Sequence, residues 1–493
     1  DELIAVYGDF DVDGITATAL LTETLQSLGA RARPYIPNRF SEGYGLNNQA
    51  LRALAGEGVS LIVTVDCGMR APDEIAYARR LGMDLVVTDH HSTGPELPAA
   101  VAVINPKQTA CSYGYQDLAG VGVAFKLAQA LLKVNQRVPL RRTTKLSETD
   151  LLDLVALGTV ADLAPIIGEN RGLVRRGLEI LREMRRPGVR ALLATVDLKP
   201  ERIGTSAIGY ILGPRLNAAG RLDDAAISYE LLTCRDPDRA AVLAAELECT
   251  NRERQRQTLQ ALTLARQEVR HDLEKEYILV ASHHDFPSGI VGLVAGRLTE
   301  EFYRPAVVVE VKDDYCRGSA RSIDEFNITA ALDECRELLV RFGGHAAAAG
   351  FTVDTARLSQ LLQRLRRIAR RQLEGQELVP SVGIDVELPL GAMNWDTWQH
   401  LQLLEPFGIG NPSPLFLSRH LTVQNARVVG GERQHLKLTL FDGEATREAI
   451  GFGMGSFLNK LSNSIDIVYA LEVNDWNGEP RLQLRLEDLN PSQ

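Results

Sequence analysis

The stretch LIAVYGDFDVDGITATALL, residues 3–21, decides the fold of this chain. It passes from an apolar run typical of a β-strand, through a tight acidic turn, into a segment with helical periodicity. The same alternation continues as far as residue 105: further strand candidates are ARPYIP, LIVTVD, DLVVTD and VAVIN, and helix candidates cover residues 15–28 and 72–81. Strands that alternate with helices in this way predict an α/β domain with a doubly wound parallel sheet.

The middle of the chain is mainly helical and leads to a second α/β region. Helical periodicity covers residues 151–193, and the segment IGYILGPRLNAAGRL, residues 208–222, is punctuated by Gly and Pro. Residues 237–277 are polar and rich in Arg and Glu, which predicts one long helix of about 60 Å. A helix of that length can bridge two lobes. Residues 277–373 then return to an α/β pattern.

The C-terminal part is rich in strand patterns. After a linker over residues 374–380 come the segments LTVQNARVV, HLKLTLF, IDIVYALEV and RLQLRLEDL, separated by turns rich in Gly and Asn-Gly. Short strands at this spacing predict a small β-barrel of the OB-fold type. The predicted domains are residues 1–230, a connecting helix over 237–277, a second α/β domain over 278–373 and the barrel over 381–493.

Composition is that of an ordinary globular protein. Of the 493 residues, 45% are hydrophobic and 24% are charged. The chain has no run near the ~20 apolar residues that a membrane span needs, and its N-terminus lacks the pattern of a secretory signal. We therefore expect a cytoplasmic protein without a membrane segment. Because the sequence starts inside a strand and without Met, we also expect the natural chain to be longer.

Cysteines and charge limit the function further. The six cysteines form no Cys-x-x-Cys pair, which argues against a zinc knuckle or a disulfide framework and suits a reducing compartment. A net charge of −10 is unfavourable for contacts with phosphate, yet a local basic groove on an acidic protein can still hold nucleic acid. Arg outnumbers Lys about five to one, which suits bidentate phosphate contacts or reflects a GC-rich genome.

Three carboxylates alternate in the acidic turn, at Asp9, Asp11 and Asp13. Such close carboxylates repel one another unless a cation lies among them. A calcium-binding EF-hand also starts with D-x-D-x-D-G, but its twelfth position requires a Glu, and counting from Asp9 that position is Leu20. The turn therefore predicts a metal site of another kind.

Further ligand candidates follow other elements of the first domain. Asp66 ends one predicted strand, Asp89, His90 and His91 end the next, and Asp162 follows an apolar helix. A single Asp in such a place is more often a cap or turn residue. The C-terminal ends of parallel strands converge on one crevice, however, so these side chains are expected to meet the acidic turn.

The ligand types indicate which metal binds. Carboxylates with imidazole and without thiolate favour magnesium or manganese over structural zinc. This many acids can hold two ions. Two ions about 3.5–4 Å apart activate a water and stabilise the leaving oxygen when a phosphoryl group is displaced.

The ordered motifs DFDVDG, VDCG, TDHH and ADLAP resemble the four motifs of the DHH phosphoesterase superfamily. By position, the resemblance implies metal ligation by Asp9, Asp11, Asp13, Asp66, His90 and Asp162. It implies catalytic roles for Asp66, His90, His91 and Asp162, with His91 facing the scissile phosphate and Asp89 orienting the neighbouring histidines. One departure is Tyr7, which stands where many members carry His; we expect Asp9 to take its place as a ligand.

The second α/β region carries two more motifs. Phe342-Gly343-Gly344-His345 resembles the GGH motif of the DHH-associated domain, which implies that His345 contacts substrate across the cleft. Gly-Gly-His alone is a weak signal, because a Gly pair is usually only a turn. The segment RGSARS, residues 317–322, offers Arg and hydroxyl groups suited to an anion, or else forms a solvated strand and turn.

Three further segments resemble the RecJ exonuclease branch of the superfamily. They are NRFSEGYG at residues 38–45, GPRLNAAGR at 213–221 and LEPFGIGNP at 404–412. The branch implies a single-strand-specific 5′→3′ DNA exonuclease that acts in DNA repair and recombination and releases 5′-mononucleotides. It also implies two divalent ions as cofactors, with manganese as the first candidate and magnesium as the second. The substrate-binding candidates are Arg39, Tyr44, Arg215, Asn217, Arg221, Ser319, Arg321 and His345.

The same resemblance shapes the expectations for binding and partners. Arg39, Arg221, Ser319 and Arg321 are the candidates for holding the terminal 5′-phosphate, and Trp476 or Tyr469 either stacks on the strand or belongs to the barrel core. We expect single-stranded DNA as the substrate, a monomeric protein, and a single-strand binding protein and a RecQ-type helicase as candidate partners.

Two other functions compete with this interpretation. A DHH phosphodiesterase of short oligonucleotides or cyclic dinucleotides would share the metal motifs but would need neither the barrel nor the long helix. A non-catalytic replication scaffold with a DHH fold would lose metal ligands, whereas the ligand set here is complete.

Overall fold

The computed structural model describes residues 2–39, 41–94, 96–138, 144–269, 276–431, 434–474 and 479–492. Phe40, Trp476 and the Asn477-Gly478 turn, all of which belong to sequence predictions, lie outside the described residues. The chain forms two compact units. The larger comprises residues 1–164 and 176–380, and the smaller comprises residues 165–175 and 381–493.

The larger unit begins with a five-stranded parallel sheet of order β2-β1-β3-β4-β5. Its elements are β1 (Leu3–Tyr7), α1 (Val12–Ser27), β2 (Arg31–Tyr35), α2 (Asn48–Gly56), β3 (Val59–Val65), α3 (Pro72–Arg80), β4 (Asp84–Thr88), β5 (Ala102–Ile104) and α4 (Gly120–Arg137). All five predicted strands and both predicted helices are confirmed, and the strand order reverses at β1 as in a doubly wound sheet. The C-terminal ends of the strands therefore share one edge of the sheet.

A run of helices follows. They are α5 (Leu152–Ala161), α6 (Gly168–Arg182), α7 (Pro187–Thr195), α8 (Thr205–Ala207), α9 (Gly213–Leu222), α10 (Ala226–Thr233) and α11 (Pro237–Val269). The segment punctuated by Gly and Pro is itself helical, since a π-helix over Ile208–Leu212 leads directly into α9. Pro214 lies in the first turn of α9, where the helix needs no backbone N–H from it.

The long helix α11 is shorter than predicted. Its 33 described residues span about 50 Å, and residues 276 and 277 are no longer helical. Its first half packs against α7, α9 and α10, and its second half buries Ala261, Ala265 and Val269 with residues of α12 and β6. The predicted bridge between the two α/β regions is thus confirmed.

The second α/β region has a mixed sheet of order β6-β7-β8-β10-β9. Its elements are β6 (Leu279–His283), α12 (Val291–Phe302), β7 (Ala306–Glu310), β8 (Tyr315–Arg321), α13 (Ile328–Asp333), β9 (Leu339–His345), β10 (Ala348–Asp354) and α14 (Leu358–Leu373). Helices α11 and α12 cover one face, and α13 and α14 cover the other. The Gly-Gly-His motif lies at the end of β9, in a hairpin with β10.

The smaller unit contains a closed barrel. Its elements are β11 (Val386–Glu387), α15 (Trp395–Gln402), β12 (Phe416–Val429), β13 (His435–Phe441), β14 (Thr446–Gly451), β15 (Ser464–Asn474) and β16 (Arg481–Pro491). Strands β12 to β16 close through the β12–β15 pairing, and β14 runs parallel to β16. This is the strand arrangement of an OB fold. The sequence predicted four of the five barrel strands and missed β14.

Residues 165–175 belong to the barrel unit, although they are far from it in sequence. The Ile166 N–H donates to the Ile409 carbonyl at 2.6 Å, and the Arg171 guanidinium donates to the Leu404 carbonyl at 2.8 Å. The segment LEPFGIGNP therefore packs on the start of α6 and the residues just before it. The sequence predictions placed these residues in the first domain.

Two predictions from composition can be compared with the structure. All six cysteines are free, as expected. None of the helices in the described part of the chain is both long enough and apolar enough to span a membrane.

Candidate active site

The acidic turn after β1 is fixed by backbone N–H groups. Asp11 caps α1 and accepts a hydrogen bond from the Gly14 N–H at 3.1 Å. Asp13 is fully buried, and its two oxygens accept the N–H groups of Gly120 and Val121, at 2.6 and 2.8 Å, at the start of α4. A helix N-terminus stabilises negative charge, so α4 holds this carboxylate in place.

The segment GPRLNAAGR supports the same turn from behind. The Asn217 side-chain oxygen accepts the Val12 N–H at 3.0 Å. Gly220 lies so close that a Cβ there would be 2.5 Å from the Phe10 carbonyl oxygen. This motif therefore shapes the acidic turn.

The other predicted ligands converge on this turn from the strand and helix ends. Asp66 follows β3, His90 and His91 follow β4, and Asp162 ends α5. The Nε2 atom of His90 lies 3.0 Å from Asp66 Oδ1 and 3.9 Å from Asp13 Oδ2. Its Nδ1 atom lies 3.9 Å from Asp162 Oδ2.

The donor atoms form three overlapping groups, each with its atoms within 4.8 Å of one another. The groups are Asp9, Asp11 and Asp66; Asp13, His90 and Asp162; and Asp66, His90 and His91. The structure thus brings together all six predicted metal ligands. Because Asp66 and His90 each belong to two groups, the arrangement suits more than one ion.

Several donor atoms have no other partner. Asp9 Oδ1, Asp66 Oδ1 and His90 Nε2 are buried and meet no hydrogen-bond geometry within the described residues, although Asp66 Oδ1 and His90 Nε2 lie 3.0 Å apart. A buried polar atom left without a partner costs about 1–3 kcal/mol. Divalent cations coordinated by these atoms remove that cost, so the residues fit metal binding.

The electrostatics of the cluster support the same conclusion. Burial and the neighbouring carboxylate of Asp11 raise the pKa of Asp13 to about 7. Burial, with Asp13 and Asp11 nearby, raises the pKa of Asp162 to about 9, and burial with Asp13 raises that of Asp66 well above its usual value. Burial lowers the pKa of His90 to about 3, which leaves the neutral imidazole that a metal requires.

His91 is held by Asp89. Asp89 Oδ1 accepts the backbone N–H groups of His90 and His91, and lies 2.8 Å from His91 Nδ1. Its other oxygen accepts the Met69 N–H at 2.9 Å. Burial opposes the charged form of His91, but the hydrogen bond and the charge of Asp89 outweigh it and raise the pKa of His91.

A cleft of about 690 Å³ opens above His91, between the first sheet and the second α/β region. It contains six of the eight predicted substrate residues: Arg39, Tyr44, Arg221, Ser319, Arg321 and His345. The Tyr44 hydroxyl lies 3.4 Å from His91 Nδ1. Gly344, at φ +152°, lets β9 approach β10 closely, since a Cβ there would lie 2.2 Å from the Ala348 carbonyl.

One end of the cleft is an arginine pocket formed by Arg39, Arg221, Ser319 and Arg321. Arg321 donates to the Ser319 hydroxyl at 3.1 Å, and Arg221 donates to the Gly289 carbonyl at 3.3 Å. Burial and the nearby charge of Arg39 lower the pKa of Arg221 to about 10, so it stays charged at neutral pH. Cations placed this close favour an anionic ligand.

The chain matches three family models, in order: the N-terminal domain of the DHH family over residues 3–159, the DHHA1 domain over 275–371 and the RecJ OB domain over 384–488. It is 38% identical over 511 residues to the single-stranded-DNA-specific exonuclease RecJ of Dickeya dadantii, covering 99% of this chain and 87% of that protein.

The chain belongs to the RecJ family.

A Bacillus subtilis protein of the same name is 38% identical over 496 residues. The match covers all of this chain and 62% of the Bacillus protein, so the chain spans less than two thirds of that relative. Two solved structures of RecJ from Thermus thermophilus also match, each 30% identical and covering all of this chain. For the complex with Mn²⁺ the TM-score is 0.84, and the match covers 69% of that chain. For the complex with Mg²⁺ the TM-score is 0.77, and the match covers 68% of that chain.

Two residues of the RecJ-type motifs lie outside the cleft. Arg215 forms an ion pair with Glu248 of α11 at 2.7 Å and donates to the Ile211 carbonyl. Asn217 supports the acidic turn. Neither side chain lines the cleft, so contact of Arg215 and Asn217 with substrate stays a prediction.

Other cleft residues were not found from the sequence. Arg70, Phe10, Arg341 and Phe342 line the cleft, and Lys107 lies close enough to His345 to help lower its pKa, after burial and His91. Arg70 follows the VDCG motif by two residues, and Phe342 begins the Gly-Gly-His motif. Their proximity to a motif was the signal in the sequence that could have identified these two residues. The Tyr7 hydroxyl donates to the Gly45 carbonyl, whereas Asp9 belongs to one of the three donor groups of the acidic cluster.

Proposed function

We propose that this chain is a single-strand-specific 5′→3′ DNA exonuclease that releases 5′-mononucleotides. One observation carries the proposal: a cluster of candidate metal ligands lies beside the cleft that contains a pocket of half-buried arginines. The first suits phosphodiester hydrolysis and the second suits a terminal phosphate. Family membership adds single-stranded DNA as the substrate and DNA repair and recombination as the setting.

The ligand set is proposed to hold two divalent ions. Asp9, Asp11 and Asp66 would hold one, and Asp13, His90 and Asp162 would hold the other. When bound, the ions supply an activated water and neutralise charge on the phosphoryl oxygens. An imidazole among carboxylates favours manganese, and magnesium is the second candidate.

His91 is proposed to contact the scissile phosphate. Asp89 fixes the orientation of its ring, and the raised pKa of His91 favours the cationic form that donates to a phosphoryl oxygen. His345 lines the same cleft from the second α/β region and gives a further donor. Both would stabilise charge that develops during the reaction.

The arginine pocket is proposed to bind the terminal 5′-phosphate. Guanidinium groups match a phosphate dianion through paired hydrogen bonds. With the terminal phosphate in this pocket, the next phosphodiester along the strand reaches the ligand cluster. Its hydrolysis releases one mononucleotide and leaves a new 5′-phosphate on the shortened strand, ready to bind again.

The barrel is proposed to bind single-stranded DNA; Trp476 lies outside the described residues and stays a candidate platform. Tyr469 belongs to the core: it is fully buried, and its hydroxyl lies 2.9 Å from that of Ser418. Phe452 is 59% exposed, directly after β14, with its ring centroid 5.2 Å from that of His435. OB folds bind oligonucleotides on the face of their second and third strands, which are β13 and β14 here. The Phe452–His435 pair is therefore a better stacking candidate than Tyr469.

End-labelled DNA tests the proposal. Single strands and duplexes, labelled at either end, are incubated with Mn²⁺ or Mg²⁺. We expect labelled mononucleotide from the 5′ end of single strands, with little cleavage of blunt duplex. Release from the 3′ end, or hydrolysis of only di- and trinucleotides, would contradict the proposal and favour a small-substrate phosphodiesterase.

The remaining expectations complete the proposal. A monomeric state, a single-strand binding protein and a RecQ-type helicase as partners, and the cytoplasm as compartment stay predictions. The free cysteines agree with a reducing compartment. The predicted domain boundaries also stay proposals, with the addition of residues 165–175 to the barrel unit.

A further inference from the structure

The loop after β6 carries a second group of metal-binding side chains, outside the cluster described above. His283, His284 and Asp285 offer three ligand atoms within 4.8 Å of one another. Asp285 Oδ2 lies 3.7 Å from His283 Nδ1, and Asp285 Oδ1 lies 3.4 Å from His284 Nε2. The three residues are consecutive and at least partly exposed, so an ion can reach them from solvent.

The spacing fits the coordination of one ion. Ligand atoms about 2.1 Å from a tetrahedral metal lie about 3.4 Å from each other, close to the two carboxylate–imidazole distances here. The two rings stack, with centroids 4.3 Å apart and 23° between their planes, so one ring would turn out of the stack when both bind the same ion. The Asp285 N–H donates to His283 Nδ1 at 3.1 Å, so that nitrogen is unprotonated, and a metal ion at Nδ1 would replace this hydrogen bond.

A neighbouring carboxylate gives independent support. Glu310, at the end of β7, is the register partner of His283 at the end of β6. It is only 6% exposed, and its Oε2 atom makes no hydrogen bond within the described residues, while Oε1 lies 3.0 Å from Lys312 Nζ. A buried carboxylate oxygen without a partner is costly, and a cation at the His283 edge of the sheet would satisfy it.

We propose that His283, His284 and Asp285, with Glu310 beside them, bind one divalent transition-metal ion such as Ni²⁺ or Zn²⁺. Two imidazoles in the set favour these ions over Mg²⁺ and Mn²⁺, which prefer oxygen ligands. This site is separate from the one used in the proposed function and does not depend on it. The same loop continues to Ser288 and Gly289, which line the cleft, and the Gly289 carbonyl accepts from Arg221.

Metal counting on the full chain tests the site. The protein is dialysed against a range of Ni²⁺ concentrations in excess Mg²⁺, and bound nickel is measured by mass spectrometry. The His284 side chain is 74% exposed, so His284→Ala is expected to fold normally. We expect the parent to hold one more nickel ion per chain than this variant, or to bind that ion at least tenfold more tightly.

His400→Ala is the matched control. Its side chain is 71% exposed and lies 3.8 Å from an Asp396 oxygen, but the pair belongs to no three-donor group among the described residues. It should bind nickel like the parent, and Glu310→Gln should bind it more weakly. Equal nickel binding by the parent and His284→Ala, or an equal loss in His400→Ala, overturns the site. Parent-like affinity in Glu310→Gln overturns the part assigned to Glu310.

Discussion

The acidic metal cluster and the arginine pocket are both groups of like charges, yet they are built in opposite ways. Every predicted metal ligand comes from the first 162 residues, and backbone N–H groups hold the carboxylates in place. The arginine pocket combines Arg39 and Arg221 of the first part of the chain with Ser319 and Arg321 of the second α/β region.

Because of this difference, we expect the acidic cluster and the arginine pocket to respond differently to substitution. Ligands of a shared metal site depend on one another, so the loss of one disables the whole cluster. The pocket is a set of separate donors, each of which contributes a part of the binding energy. Substitutions in the cluster should therefore abolish activity, whereas those in the pocket should reduce it in steps.

The largest effect is expected at Asp66. This residue has φ +60°, a backbone conformation that Asn tolerates, so Asp66→Asn removes the ligand charge with little strain. We expect hydrolysis to fall by about a thousandfold or more, because two of the three donor groups contain Asp66. The metal-free variant should be at least as stable as the parent, since one of several repelling carboxylates is gone.

Activity assays and thermal melts check this expectation, with Asp396→Asn as the control. Asp396 is 82% exposed and should behave like the parent. Turnover of Asp66→Asn close to that of the parent would remove Asp66 from the metal site.

A smaller, graded effect is expected in the arginine pocket. A charge-assisted hydrogen bond is worth about 1.5–3 kcal/mol, so replacing a 5′-phosphate by a 5′-hydroxyl should lower kcat/KM by about 10- to 150-fold. In Arg321→Ala the same replacement should matter much less, because a principal partner of the phosphate is absent. The measurement is kcat/KM for both ends with both proteins.

Arg256→Ala is the control for the pocket. Arg256 pairs with Glu253 on the surface of α11 and should leave the preference between ends unchanged. If Arg321→Ala discriminates between the ends as strongly as the parent, Arg321 does not bind the phosphate. If no protein discriminates, the pocket binds something else.

The barrel should affect binding more than chemistry. We expect Phe452→Ala to weaken binding of long single strands by about 1–3 kcal/mol, the contribution of one stacked base, with little change in the cleavage of trinucleotides. Trp395→Ala is the matched control, since Trp395 is 43% exposed in the same unit but lies on α15. Fluorescence anisotropy compares the three proteins; equal weakening in both variants would argue against a specific platform at Phe452.

The smallest expected effect is on the pH dependence of stability, in which the acidic cluster and the arginine pocket should differ. Folding raises the carboxyl pKa of Asp13 to about 7 and of Asp162 to about 9, so folding favours their protonated forms. Their contribution to stability is full below about pH 4 and is lost as the pH rises through these values. Arg221, with a pKa of about 10, stays charged over most of this range.

We therefore expect the Tm of the metal-free protein to fall by a few degrees between about pH 5 and pH 9. Mn²⁺ should restore the Tm most strongly at the high end, and Asp13→Asn should flatten the decline. Melting curves over this pH range measure the effect. A Tm that rises with pH in the metal-free protein would contradict the assignment of raised carboxyl pKa values.

Much of the catalytic part was predictable, because each ligand follows a regular element in sequence. The strands leading to Asp9, Asp66 and His90 were visible as apolar runs, and parallel strands must end at one edge. The helix over Gly213–Leu222 was less visible, since its Gly and Pro residues are also typical of turns. Strand β14 was missed because its sequence TREAIG has little β-propensity.

The sequence alone determined the order of domains and the set of candidate metal ligands, because both follow from contiguous motifs and from the periodicity of apolar residues. Tertiary structure decided which polar residues face the cleft. Arg215 and Arg221 belong to one motif and one helix, yet six residues place them about 120° apart around its axis, so one pairs with Glu248 and the other enters the arginine pocket. The position of residues 165–175 in the barrel unit and the burial of Tyr469 were likewise decided by contacts between distant parts of the chain. A local motif fixes which side chains are neighbours, but only the packing of the whole chain fixes what they face.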